Sequence, residues 1–187
     1  RVLAHIADDA HMQAAFRSGM DIHTATAAVV FGVAPDEVTP LQRRHAKAVN
    51  FGIVYGISEF SLAEDIGVTR KEAKAYIDSY LENYSGVRNY MHEIVRKAKE
   101  NGYVTTLFGR KRELPELKSS NFNIRSFGER VALNTPIQGT AADIIKLAML
   151  HVDTALRNAG LRGRLILQVH DELIVECPVE EAETVKT

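Results

Sequence analysis

The chain has 187 residues, 45% apolar and 25% charged, with a formal net charge of −1, a length and mix that suit one globular core and exclude a disordered chain. Its one cysteine, Cys177, excludes an internal disulfide and a four-cysteine zinc site and suits a reducing compartment. No apolar run approaches the roughly 20 residues of a membrane helix and the N-terminus lacks a signal-peptide plan, so the expected location is the cytoplasm, with no membrane partner.

Leu3, Ile6 and Ala7, then Met12, Ala15 and Phe16, give two short amphipathic segments before a turn at Ser18-Gly19. Asp21 is a good N-cap for a helix running to Phe31 and stopping at Gly32. Thr39-Pro40 supplies an N-cap and a proline at the first position of the next helix. Gly52 and Gly56 weaken the far half of that helix by about 1 kcal/mol each, so the expectation is a bend there. Thr69 opens an amphipathic helix over RKEAKAYIDSYLENY, and VRNYMHEIVRKAKENG is another that stops at Gly102. GYVTTLFGRKREL alternates and turns at Gly109, the pattern of a hairpin.

Residues 123–133 and 138–158 are again helical in pattern, with Pro136 expected to keep them apart. Ala141, Ile144, Ile145, Ala148, Val152 and Leu156 are the expected buried stripe of the second. RLILQV and ELIVEC flank a tight turn at His170-Asp171, a second hairpin. No repeat, low-complexity run or linker divides the chain, so no domain division within 1–187 is expected, in a mainly helical α+β architecture.

Arg43, Lys47, Phe51 and Tyr55 recur at a four-residue interval in RRHAKAVNFGIVYGIS. At about 100° per residue each step of four drifts about 40°, so the four share one helix face, while Ala46, Val49, Ile53 and Ile57 form the buried stripe. Two cations and two aromatic rings on a free face suit a phosphate-bearing ring compound. Because the net charge is slightly negative, nucleic-acid contact would have to use local clusters: Arg43-Arg44-Lys47, Arg110-Lys111-Arg112, and Arg125 with Arg130.

Arg43, Lys47, Phe51, Tyr55 and Gly56 resemble motif B of the family A DNA polymerases, and LILQVHDELIVE resembles their motif C. GYVTTLFGRKR and NTPIQGTAADIIKLAM are similar to the same family, in the same order. The resemblance implies the fingers and part of the palm, with the motif A aspartate, the thumb and the C-terminal end lying outside this sequence. It implies template-directed addition of deoxynucleotides to a primer 3′ end with release of pyrophosphate, two Mg²⁺ ions, primer-template DNA and deoxynucleoside triphosphates as partners, and a monomeric complete enzyme. The segment alone is expected to be inactive.

In that reading Lys47 holds the triphosphate and can protonate the leaving pyrophosphate, Arg43 holds the γ-phosphate, Phe51 stacks beside sugar and base, and Tyr55 closes the base-pair pocket. His23, near a helix start, is the further phosphate contact; the alternative is a helix-start histidine with no ligand. Asp171 is the metal ligand and Glu172 the supporting acid. Arg130, Asn134, Gln138 and His170 are the DNA contacts, although a turn histidine satisfied by backbone groups is the other reading of His170. Arg110, Lys111 and Arg112 either touch template phosphate or form a solvated hairpin. Two other identities fit parts of the pattern: a single-subunit RNA polymerase and a non-catalytic nucleic-acid-binding module.

Overall fold

The computed structural model describes residues 1–186. Helices dominate: α1 (Val2–Ile6), α2 (Ala10–Arg17), α3 (Ile22–Phe31), α4 (Pro40–Tyr55), α5 (Glu59–Ile66), α6 (Arg70–Asn83), α7 (Ser85–Asn101), α8 (Phe122–Asn158) and α9 (Ala182–Lys186). Strands β1 (Tyr103–Thr105) and β2 (Lys111–Glu113) form one antiparallel hairpin, and β3 (Arg164–Val169) and β4 (Glu172–Glu176) form another. The architecture is the mainly helical α+β expected. None of the described helices is long and apolar enough to cross a membrane.

Local chemistry sets most boundaries. Asp21, Thr39 and Thr69 each accept a backbone N–H of the first turn they cap, and Thr39 and Thr69 form full capping boxes with Gln42 and Glu72. Gly32, Gly56, Gly67 and Gly102 end four helices in the left-handed conformation. Helix α5 has no counterpart among the sequence expectations.

The chain separates into two compact units, Arg1–Gly139 and the residues from Thr140 onward, dividing within α8 rather than at a linker. In the first unit, Leu3, Met12, Val49, Ile53, Leu62, Tyr80, Tyr84 and Val87 form the main core. A smaller core of Ala98, Val104, Leu114, Leu117 and Ala132 lies under the first hairpin. Asp9, 2% exposed, ties helices together: its carboxylate accepts Met12 N–H at 2.9 Å, Gly86 N–H at 2.9 Å and Val87 N–H at 3.3 Å. It thereby caps α2 and also α7, whose own N-cap residue, Tyr84, offers no side-chain bond.

Four expectations need correction. First, α8 runs through Pro136 as one helix. The proline has no N–H to give the helix, but the neighbouring Leu133 carbonyl accepts the Tyr90 hydroxyl at 3.2 Å and Pro136 itself is buried, so tertiary contacts hold the segment helical. Second, α4 is one helix that stops at Gly56 instead of bending at its glycines. Third, Ile57 lies beyond its end: the chain reverses, Ile57 N–H reaches Gly52 O at 2.8 Å, and the Ile57 side chain still packs on the main core.

Fourth, the stripe on the second half of α8 is largely open. Leu156 is buried, but Ala141 and Ile144 are exposed, and Ile145, Ala148 and Val152 are only half-buried. One helix segment and a two-stranded sheet offer too little area to cover a whole apolar face.

Candidate functional site

Helices α3 and α4 pack side by side and carry the first cluster. Asp21 caps α3 by accepting Thr24 N–H at 2.9 Å, and the same carboxylate receives the Arg43 guanidinium as a fork, Nε at 2.9 Å and a terminal nitrogen at 3.0 Å. The hydrogen bond from Arg43 holds the Asp21 carboxyl well below the usual carboxylate range, and Asp21 in turn raises the Arg43 guanidinium. The sequence marks Asp21 as a cap; its second role, fixing Arg43 beside the start of α3, emerges only in three dimensions.

His23 follows in the first turn of α3, its ring 6.0 Å from that of Phe51. Burial pulls the imidazole below its ordinary value, and the charges of Arg43 and Lys47 push the same way against Asp21, which favours the neutral ring. Lys47 Nζ stands 6.0 Å over the Phe51 ring, at the edge of cation–π range. Arg43, Lys47 and Phe51 thus gather on one face, as the spacing predicts, and His23 joins them from α3. The buried side of α4 is equally as expected, with Ala46, Val49 and Ile53 almost fully covered.

Asn50 belongs to this cluster although the sequence reading does not select it. It hydrogen-bonds His23 Nδ1 at 3.2 Å and Thr26 Oγ1 at 3.0 Å. The signal was present: Asn50 lies seven residues after Arg43, within about 20° of it around the helix.

Tyr55 is half-exposed at the far end of α4. It lines a cleft of about 610 Å³ with Phe51, Ser61, Asp65 and Arg130. Arg130 leans over Gly56 so closely that a Cβ at position 56 would lie 3.2 Å from its Cγ, and its guanidinium donates to Ser126 Oγ at 3.0 Å. Because α8 is continuous, Arg130, Asn134 and Gln138 share one face within about 80°. Gln138 is exposed, and Asn134 Oδ1 is buried with no hydrogen-bond partner among the described residues. In the basic hairpin Lys111 pairs with Glu113 at 2.6 Å and stands 4.0 Å over the Tyr103 ring; Arg125, in the first turn of α8, donates to Ser119 O at 3.0 Å.

The second unit carries His170, Asp171 and Glu172 at the tip of the β3–β4 hairpin. Val169 faces Glu172 across a two-residue loop in which His170 is left-handed at φ 51°, a conformation histidine tolerates better than most side chains. The His170 carbonyl accepts Gln168 Nε2 at 2.6 Å, whereas the His170, Asp171 and Glu172 residues are exposed. No three metal-binding side chains gather among the described residues. The chemistry of the two acids still suits a hard divalent cation, which takes one or two carboxylates alongside phosphate oxygens. Glu172 opens β4 while Asp171 sits in the turn before it.

The model of DNA polymerase family A matches residues 1–187. DNA polymerase I of Bacillus subtilis (strain 168) is 61% identical over 183 residues, which is 98% of this chain and 21% of the relative. That of Streptococcus pneumoniae (serotype 4) is 58% identical over 182 residues, 97% of this chain and again 21% of the relative. Among solved structures, the POL domain of Pol1 from M. smegmatis, in complex with DNA primer-template and dNTP, is similar with a TM-score of 0.94 and 46% identity across 99% of this chain and 33% of that one. The chain therefore spans about a fifth of the length of these curated relatives. Likeness over the motif-bearing helices and the acidic hairpin alike places the chain within DNA polymerase family A.

Proposed function

We propose that the chain forms the fingers and part of the palm of a DNA polymerase that adds deoxynucleotides to a primer 3′ end under template direction, in replication and repair. The observation that carries this reading is the convergence of His23, Arg43, Lys47 and Phe51 on one face of the α3–α4 pair. Arg43, held by Asp21 through Nε and one terminal nitrogen, meets the γ-phosphate with its remaining N–H groups, His23 adds a phosphate contact, and Phe51 and Tyr55 bound the sugar and the nascent pair. As the primer 3′ hydroxyl loses its proton to water and its oxygen bonds to the α-phosphorus, the bond to the β-phosphate breaks and Lys47 donates a proton to the leaving pyrophosphate.

Asp171, supported by Glu172, would hold Mg²⁺, which when bound stabilises the charge on the transferring phosphate. Arg130, Asn134, Gln138 and His170 contact primer-template near the nascent pair, from the minor-groove side where base readout is degenerate. Copying any sequence requires that degeneracy. The complete enzyme is read as a cytoplasmic monomer. The two acids of this chain are too few for a two-ion centre, so the chain by itself is expected not to turn over.

A chimera tests the proposal. This chain replaces the matching segment of Bacillus subtilis DNA polymerase I, and primer extension is measured for the chimera and for the 187-residue chain. Extension by the chimera alone is the expected result. A chimera that folds and binds primer-template yet adds no nucleotide would refute the assignment.

A further inference from the structure

The hydrogen bonds behind His23 have a direction. Tyr84 is 2% exposed, and its hydroxyl lies 3.4 Å from Oγ1 of the fully buried Thr26. Thr26 Oγ1 lies in turn 3.1 Å from Asn50 Oδ1 and 3.0 Å from Asn50 Nδ2. A buried phenol must place its proton on an acceptor, so Tyr84 donates to Thr26. The one hydroxyl proton of Thr26 then goes to Asn50 Oδ1. The Asn50 amide nitrogen, which gives one hydrogen to Thr26 Oγ1 at 3.0 Å, turns the other toward His23 Nδ1 at 3.2 Å. A donor at that place needs a lone pair opposite it, and on a neutral imidazole the proton then sits on Nε2.

We propose that Asn50 is a positioning residue which, backed by Thr26 and Tyr84, locks His23 in the Nε2–H tautomer, so that His23 meets the nucleotide phosphates as a neutral N–H donor beside two cations. This rests on reading the α3–α4 face as the phosphate site. The charged groups around the ring are Asp21 on the α3 side and Arg43 and Lys47 on α4. Burial and the two cations disfavour a third positive charge there. The division of labour follows: Arg43 and Lys47 supply charge, and His23 supplies direction.

The test is long-range ¹H–¹⁵N spectroscopy of the histidine rings in the 187-residue chain at pH 7.5, with His23 assigned by loss of its signals in His23→Gln. The expected pattern is a pyridine-type Nδ1 and a pyrrole-type Nε2. In Asn50→Asp the side chain can only accept, and Nδ1 becomes the protonated nitrogen facing it, whether or not Nε2 keeps its own proton. Sodium tripolyphosphate shifts His23 Nε2 together with the side chains of Arg43 and Lys47. A pyrrole-type Nδ1 in the unsubstituted chain would overturn the proposal, as would an unchanged tautomer in a folded Asn50→Asp. Tripolyphosphate that moves Arg43 and Lys47 but leaves Nε2 in place overturns the donor role alone. If it moves none of the three, the phosphate reading itself fails, whatever the tautomer.

Discussion

Replacing Asp9 with alanine removes one side chain and uncaps two helices. The contact to Met12 N–H is an ordinary N-cap of α2, whose loss costs about 1 kcal/mol. The contacts to Gly86 and Val87 differ, because α7 has no cap of its own and Val87 is fully buried. Water cannot readily replace the carboxylate at Val87 N–H, and a buried donor left unpaired costs about 1–3 kcal/mol. The expected loss is about 2–4 kcal/mol, a large share of the roughly 5–15 kcal/mol typical of a folded domain. With a urea slope of about 2 kcal/mol per molar, the unfolding midpoint followed by far-ultraviolet circular dichroism falls by about 1–2 M. Asp9→Asn keeps one acceptor oxygen and falls between wild type and alanine. A midpoint for Asp9→Ala within about 0.3 M of wild type, at unchanged slope, would show that the carboxylate does not join α2 to α7.

In the chimera, Lys47→Ala and Asp171→Ala lower kcat in single-turnover extension, whereas Arg43→Ala acts mainly on nucleotide affinity, because proton and metal roles grow in the transition state and the γ-phosphate contact already exists in the ground state; a near-normal kcat for Asp171→Ala with Mg²⁺ contradicts the metal assignment. Phe51→Tyr erodes discrimination against dideoxynucleotides by about ten- to a hundredfold, since a hydroxyl there restores a hydrogen bond to the phosphates worth about 1.5–3 kcal/mol, and an unchanged ratio in direct competition means Phe51 does not sit against the sugar. Asp21 is depressed by its bond to Arg43, so its contribution to stability is present above the unfolded carboxylate value near pH 4 and is lost as pH falls through the lower folded value. Urea midpoints of wild type and Asp21→Asn should therefore converge below about pH 4, and a gap that persists to the acid limit speaks against the ion pair.

What the sequence makes legible follows the range of the forces involved. Thr39-Pro40, Thr69 and Gly102 act within a turn of their own helices, so local chemistry finds those boundaries. The face of Arg43, Lys47, Phe51 and Tyr55 needs only helical periodicity. Pro136 is different, because its outcome depends on Tyr90, 43 residues from Leu133 in sequence and 3.2 Å away in space. Asn50 escapes for a related reason: it lies at the border between the polar and apolar sectors of α4, and its partners His23 and Thr26 belong to another helix. The apolar pattern of 141–156 is real, but a pattern specifies which side wants cover, and the second unit supplies full cover only at Leu156.

The reversal after α4 makes its two glycines stiff rather than loose. A methyl group at position 52 would sit 2.4 Å from Ile57 Cγ2, and one at 56 would press on Arg130 and Leu133, so both positions are filled by their neighbours. The end of the helix is pinned and has no slack in which to fray. Tyr55 therefore sits at a fixed helix end, in line with Phe51, Lys47 and Arg43, so one continuous helix carries both the aromatic cleft and the cationic face.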